Sequence, residues 1–336
     1  MDVFATLTNY ANPPNNVIGS TLFLTYIALA LYSTVAITTS LWKQYNTIAI
    51  PKTAKNEAKK ELQQLQDARR RHIKIYAFLA SISFATASYH MSLFLLNSFA
   101  TWNDKTTADL TLSDLRAEKL KSWMLESTLF ESFAKDLVSD GPSAAWTQGA
   151  VLGTWFWGVW MGQKVQSRRI PTSQILPYLL LSQTLPITTT ISLFLINLHL
   201  SAPEISPTPL TFHPATPSPP KKKTSLTLPT ILLNTTVFAL PSLRHTPYFI
   251  PLVLLTRLVL LTPFSARVGL KDAQVVQSIA VSGGFVVAHV YMLRKVSGFG
   301  ELARGAWRGG EAVRALAWDA GLGVVVHGVL GWGGGV

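Results

Sequence analysis

Apolar and polar residues alternate along this chain in long blocks rather than singly. Uncharged or nearly uncharged runs occupy 17–42, 73–100, 143–163, 174–200, 225–243, 248–264 and 273–293, with short basic or proline-rich segments between them. A hydrocarbon layer ~30 Å thick takes about 20 apolar residues as a helix, and these runs meet or approach that length. A further run at 312–336 is weaker, diluted by glycine and interrupted by Asp319 and His327. No segment alternates with the period of a barrel strand, so backbone polar groups in such runs must be satisfied within helices. The pattern predicts an all-α fold: a polytopic transmembrane helical bundle of seven to eight spans, forming a single integral membrane domain over 1–336.

Local sequence refines this outline. Pro177 and Pro186 interrupt the fourth run and predict a kink, because proline removes an intrahelical hydrogen bond. Gly149/Gly153 and Gly158/Gly162 in the third run sit four residues apart, a spacing that lets neighbouring helices approach closely. A Pro/Thr/Ser-rich linker covers 201–223 and ends in three lysines. The segment 43–72 is basic around a Glu/Gln/Ala-rich stretch, which predicts a short solvated helix. Between the second and third runs, 116–140 has helical periodicity but too little hydrophobicity for a span. No internal repeat points to an inverted-repeat transporter.

Composition agrees with the pattern. Of 336 residues, 48% are hydrophobic and 14% charged, against roughly 25% charged in a soluble domain. The absence of cysteine excludes disulfides, thiolate catalysis and cysteine-ligated metal centres. A net charge of +12 raises nucleic acid as a partner, but the basic residues sit in the segments between runs without interleaved aromatics, so no nucleic-acid role is expected. They report orientation instead. Alternate segments collect 17 and 10 basic residues, which places the amino terminus in the lumen and segment 43–71 in the cytoplasm. The first run, with no basic segment before it, reads as an uncleaved signal-anchor, and the endoplasmic reticulum is the expected membrane. Asn234 heads an Asn-Thr-Thr sequon inside the fifth run, out of reach of a lumenal transferase.

Candidate chemistry concentrates in 116–140. Trp123, Glu126, Phe130, Phe133 and Leu137 recur at helical spacing, so Glu126 occupies a slot otherwise held by large apolar groups. A carboxyl desolvated there would resist ionisation and could donate a proton. Glu131 lies on another face with Lys135 four residues on, the spacing of a surface ion pair. Asp136 follows near the helix end, and Asp140 before Gly141 and Pro142 reads as turn chemistry. The third run supplies Trp146, Trp155, Trp157, Trp160 and Gln148, either an interfacial belt or the wall of a pocket for developing positive charge. His90, Arg257, Asp319 and His327 are polar groups inside apolar runs, each a functional candidate and equally a helix-pairing group. Aspartate-rich diphosphate sites, paired zinc-spaced histidines, glycine-rich phosphate loops and serine elbows are absent, so an enzyme here is expected to work by proton transfer without cofactor or metal.

The stretch Leu125-Glu126-Ser127-Thr128-Leu129-Phe130-Glu131, with Trp146-Thr147-Gln148 and Arg168-Arg169-Ile170-Pro171, resembles the fungal membrane-bound terpene cyclases typified by the ascofuranone-pathway cyclase. The likeness covers 72–200, with Ala145 before Trp146 and Gln163 before Lys164 as departures from the family pattern. It implies acid-initiated cyclisation of a prenylated, epoxidised, lipophilic intermediate in a meroterpenoid pathway. It raises Glu131 to stand level with Glu126; with Asp136 these are the candidate catalytic residues, and Trp146, Gln148, Trp157 and His90 are the candidate substrate-binding residues. A membrane carrier or exporter of lipophilic products is the alternative; it requires a continuous polar path, where an enzyme requires an apolar pocket.

Overall fold

A computed structural model describes residues 10–47, 56–184, 186–201, 224–265, 267–296 and 299–331. Among them the chain is helical throughout, with one isolated bridge between Thr224 and Val268. In chain order the helices are α1 Val17–Asn46, α2 Asn56–Trp102, α3 Ala117–Glu126, α4 Leu129–Asp136, α5 Gly141–Arg168, α6 Thr172–Thr184, α7 Ile187–Leu200, α8 Thr227–Leu243, α9 Phe249–Val259, α10 Asp272–Val296, α11 Phe299–Arg308 and α12 Glu311–Val329. The linker lies outside the described residues from 202 to 223.

Among the described residues four helices are long and apolar enough to cross a membrane: Val17–Asn46, Gln66–Trp102, Asp272–Arg294 and Glu311–Val329. Ile187–Leu200, Thr227–Leu243 and Phe249–Phe264 are apolar but shorter. The weakest run of the sequence thus provides one of the four, since α12 stops at Val329, before the glycine-rich end. The run 143–163 lies within α5, whose 28 residues have the length, while its tryptophans, glutamines and glycines lower its hydropathy. The basic stretch after position 55 is no separate helix: it is continuous with the second run in a 47-residue α2.

Two further expectations are corrected by tertiary contacts. The segment 116–140 is two helices, because Ser127 and Thr128 leave the helical region between α3 and α4. The amino terminus of α1 takes the carbonyls there. Asn16 donates its N–H to the Leu125 carbonyl at 2.9 Å and its Nδ2 to the Ser127 carbonyl at 2.9 Å, and the Ser20 hydroxyl donates to the Met124 carbonyl at 2.5 Å. Once those acceptors are bonded elsewhere, the ladder has no reason to continue. The run 174–200 is not merely kinked at Pro186 but divided into α6 and α7.

At the centre stands α7, with all fourteen of its residues buried. It packs against α1, α2, α5, α6 and α12, and Phe194, Leu195 and Leu198 join Tyr76, Leu79, Met161 and Leu181 in the main core. A second group, α8, α9 and α10, gathers on α5 around Trp155, Val159 and Leu233. α5 serves both groups. Its amino end is capped by Asp140, whose carboxylate accepts the Ser143 N–H at 2.7 Å, with Pro142 in the first turn. Gly158 and Gly162 lie against the turn Thr262–Phe264, as their spacing suggested; a Cβ on Gly162 would lie 2.7 Å from the Pro263 carbonyl oxygen. Gly149 and Gly153 have no neighbour within 4 Å of such a Cβ, so they mediate no close approach among the described residues.

Candidate functional site

Helices α1, α2, α4, α5, α8, α9 and α12, with the α6–α7 junction, line a half-open cavity of about 380 Å³. Its wall is largely apolar: Phe84, Met91, Leu95, Phe133, Leu137 and Leu240 supply most of the bulk, with Ala30, Ala87, Ala134 and Ala150 leaving the room. That size falls within the ~300–1,000 Å³ typical of small-molecule pockets. Among the described residues lining it, Asp319 brings the one carboxyl and Arg257 the one guanidinium.

The division of the fourth run explains where these two charges sit. Breaking a helix exposes carbonyls at one new end and N–H groups at the other, and in apolar surroundings both need partners. The Gln183 carbonyl at the end of α6 accepts from the Tyr26 hydroxyl of α1 and from Arg257 Nη1 of α9 at 3.4 Å. At the start of α7, Ile187 N–H donates to Asp319 Oδ2 at 3.1 Å and Thr188 N–H to Oδ1 at 3.0 Å. The Thr188 hydroxyl also donates to the Asp319 carbonyl at 2.9 Å. Asp319, 4% exposed, is a helix cap supplied from another helix.

Glu126, Glu131, Asp136, Trp146, Gln148, Trp157 and His90, the seven residues assigned catalytic or substrate-binding roles from sequence, do not line this cavity, whereas the intramembrane candidates Arg257 and Asp319 do. Glu126 is exposed rather than desolvated, because the stripe it belonged to ends with α3; its Oε2 accepts the Trp102 indole N–H at 3.0 Å. Glu131 pairs with Lys135 at 2.5 Å, both about one-third exposed. Asp136 is half-buried and accepts the Ala312 N–H at the start of α12. Burial pushes its carboxyl above the ordinary range against that N–H and the Arg244 charge. Trp146 donates its indole N–H to the Leu302 carbonyl at 2.9 Å, tying α11 to α5. Gln148 Oε1 lies 2.7 Å from His289 Nδ1, and its Nε2 is buried without a partner among the described residues. Trp157 makes edge contacts with Trp160 and His327. Trp155, from the same run, is fully buried and donates to the Ser278 hydroxyl at 3.1 Å.

Two of the seven do converge. His90 Nδ1 lies 2.7 Å from Glu311 Oε2, a partner the sequence reading missed, while Glu311 Oε1 accepts from Arg314 at 2.9 Å. Glu311 opens the helix whose second N–H Asp136 holds, so α12 brings His90 and Asp136 to one end of the bundle. Eight residues on, about 12 Å along the same face, is Asp319, with Ala315 between them in the cavity wall. Asp319 and Arg257 were legible only as polar residues inside apolar runs; Tyr26 carried no signal at all. Among the described residues no group of three or more histidines, aspartates and glutamates is disposed to hold a metal ion.

No family model matches the chain, and no curated protein or solved structure matches it significantly.

Proposed function

We propose that this chain is a polytopic membrane enzyme, threaded seven or eight times through the endoplasmic reticulum membrane, that cyclises a prenylated and epoxidised lipophilic intermediate by proton transfer. The substrate class comes from the resemblance to fungal membrane-bound terpene cyclases. The observation that carries the chemistry is the placement of one carboxyl, Asp319, in the wall of an otherwise largely apolar cavity.

In this reading Asp319 gives its proton to the epoxide oxygen and the carbon–oxygen bond opens. An alkene of the same substrate attacks the carbon so exposed, and a proton lost at the end of the cascade returns to the carboxylate. The product is an isomer, so one carboxyl suffices for the whole cycle. The Ile187 and Thr188 N–H groups stabilise the anion that appears as the proton leaves, which is where preorganised donors lower a barrier. Phe84 and Phe133 present aromatic faces to the carbocation. Asp319 is favoured over Glu126 and Glu131 because it lines the cavity and they do not. Asp136, with His90 and Glu311, stands behind the wall rather than in it.

A carrier of lipophilic products is the second reading. The divided fourth run favours it, since broken helices beside a cavity are how many transporters build substrate sites. The two are separated by incubating membranes that contain the protein with an epoxidised farnesyl-phenol. A cyclic product of unchanged mass, lost in Asp319→Asn, supports the enzyme; movement of unchanged compound across sealed vesicles, with no isomer formed, sinks it.

A further inference from the structure

Arg257 is a charge set inside an apolar run. It lies on α9 and is an exposed residue at the cavity wall. No carboxylate among the described residues lies within salt-bridge distance of it. Asp319, the carboxyl of the same cavity, has each oxygen on a backbone N–H of α7. The hydrogen bond Arg257 does make, to the Gln183 carbonyl, is long at 3.4 Å and shared with the Tyr26 hydroxyl. A guanidinium offers five N–H donors in a fixed fork, so most of its capacity is unspent.

The hydroxyls nearby narrow the ligand. Ser182 donates to the Leu179 carbonyl at 2.8 Å, Thr184 to Leu180 at 3.0 Å and Thr256 to Leu252 at 2.8 Å. Their hydrogens, like that of Tyr26, are committed to backbone, which leaves Arg257 as the donor with N–H groups to give at this end of the cavity. An incoming group that satisfies it must be an acceptor, and an anionic one gains most, because a charge-assisted hydrogen bond is the stronger kind. The remainder of the wall accepts hydrocarbon.

We infer that Arg257 anchors the carboxylate of a lipophilic acid whose hydrocarbon chain fills the cavity. The inference rests on the cavity alone and holds whether the bound compound is cyclised or carried; its failure is read by binding, that of the cyclase reading by the absence of an isomer.

The test uses the full chain in detergent micelles, with the fluorescent cis-parinaric acid and its methyl ester as probes. The acid is expected to bind the wild type on the order of tenfold more tightly than the ester, the worth of one charge-assisted hydrogen bond. Arg257→Met should bring the acid down to the level of the ester while ester binding persists, which also shows that the variant is folded. Arg257→Lys should keep part of the preference. Equal affinity of wild type for acid and ester overturns the proposal even if Arg257→Met fails to fold, and so does an acid preference that survives Arg257→Met. Farnesoic acid should displace the probe at lower concentration than short-chain phosphatidic acid; the reverse order assigns Arg257 to a lipid phosphate and overturns the proposal as well.

Discussion

At the scale of single residues, the acids of this protein divide by what already holds them. Asp140, Asp136 and Asp319 each accept backbone N–H groups at a helix start, Glu131 holds Lys135, and Glu126 holds the Trp102 indole. Only Asp319 does so in the cavity wall. Asp319→Asn removes the transferable proton, and general acid–base catalysis is typically worth ~100- to 10,000-fold; measured cyclisation should fall by that order, with Asp319→Glu recovering part of it. Glu126→Gln and Glu131→Gln should retain turnover near wild type in the same membrane assay. Loss of activity in either would return the proton donor to the stretch that carries the family resemblance. Asp136 makes a prediction in pH. Its folded carboxyl titrates above the ordinary value near 4, so the native state holds more protons than the unfolded one between the two values. Stability on this account is fully present below the unfolded value and declines as pH rises through the folded one. Asp136→Asn should flatten that decline in a series of melting temperatures against pH; an unchanged slope would show that Asp136 does not set it. Asp114 runs the other way. Hydrogen bonds from Lys105, then Thr111 and Lys119, hold it far below the usual carboxylate range, and its contribution is lost only as the solution becomes strongly acidic.

At the scale of elements, apolar length located the apolar part of each long helix among the described residues, since hydropathy reports directly what a helix must bury or present to lipid. Periodicity failed where a partner distant in sequence intervened. Nothing within 116–140 signals that Asn16 and Ser20, more than a hundred residues earlier, take the carbonyls at which α3 ends. Pro186 announced a disturbance, but whether it kinks or divides a helix depends on whether groups such as Tyr26, Arg257 and Asp319 arrive to satisfy both new ends. The glycine pairs show the same limit: spacing was equal, and only contact distinguishes them. Gly162→Leu should destabilise by ~1–3 kcal/mol, as overpacking does, because its side chain meets a backbone carbonyl that cannot yield. Gly149→Ala, which meets nothing within 4 Å, should be neutral or stabilise by about 0.5–1 kcal/mol. Comparable losses in thermal unfolding for the two would mean that the α5 contacts are misassigned.

At the scale of the whole molecule, the candidate site is an assembly of parts from seven helices and one junction, which is why sequence reading reached its polar members but not their grouping. The residues it favoured clustered within one stretch because a stretch is what a sequence displays. Orientation remains the most accessible global test. Single cysteines introduced near position 45 and near position 105 should label from opposite faces of sealed microsomes, the first from the cytoplasm. Asn234 is fully buried, with its amide donating to Thr230 and Ser282. Glycosidase treatment should therefore leave the protein's mobility unchanged; a shift abolished by Asn234→Gln would invert the expected topology.

The central helix imposes an order on biosynthesis. α7 is about 21 Å long, too short to cross a bilayer unaided, and its first two N–H groups find their acceptor 131 and 132 positions later in the chain. During translation that end of α7 has no cap until the ribosome has passed Asp319 and α12 has packed against it. Nascent chains halted before that point should stay sensitive to protease between α6 and α7 and be recognised by quality control, whereas chains extended beyond α12 should become resistant in a single step. Equal protection at both lengths would show that the core closes without its last strut.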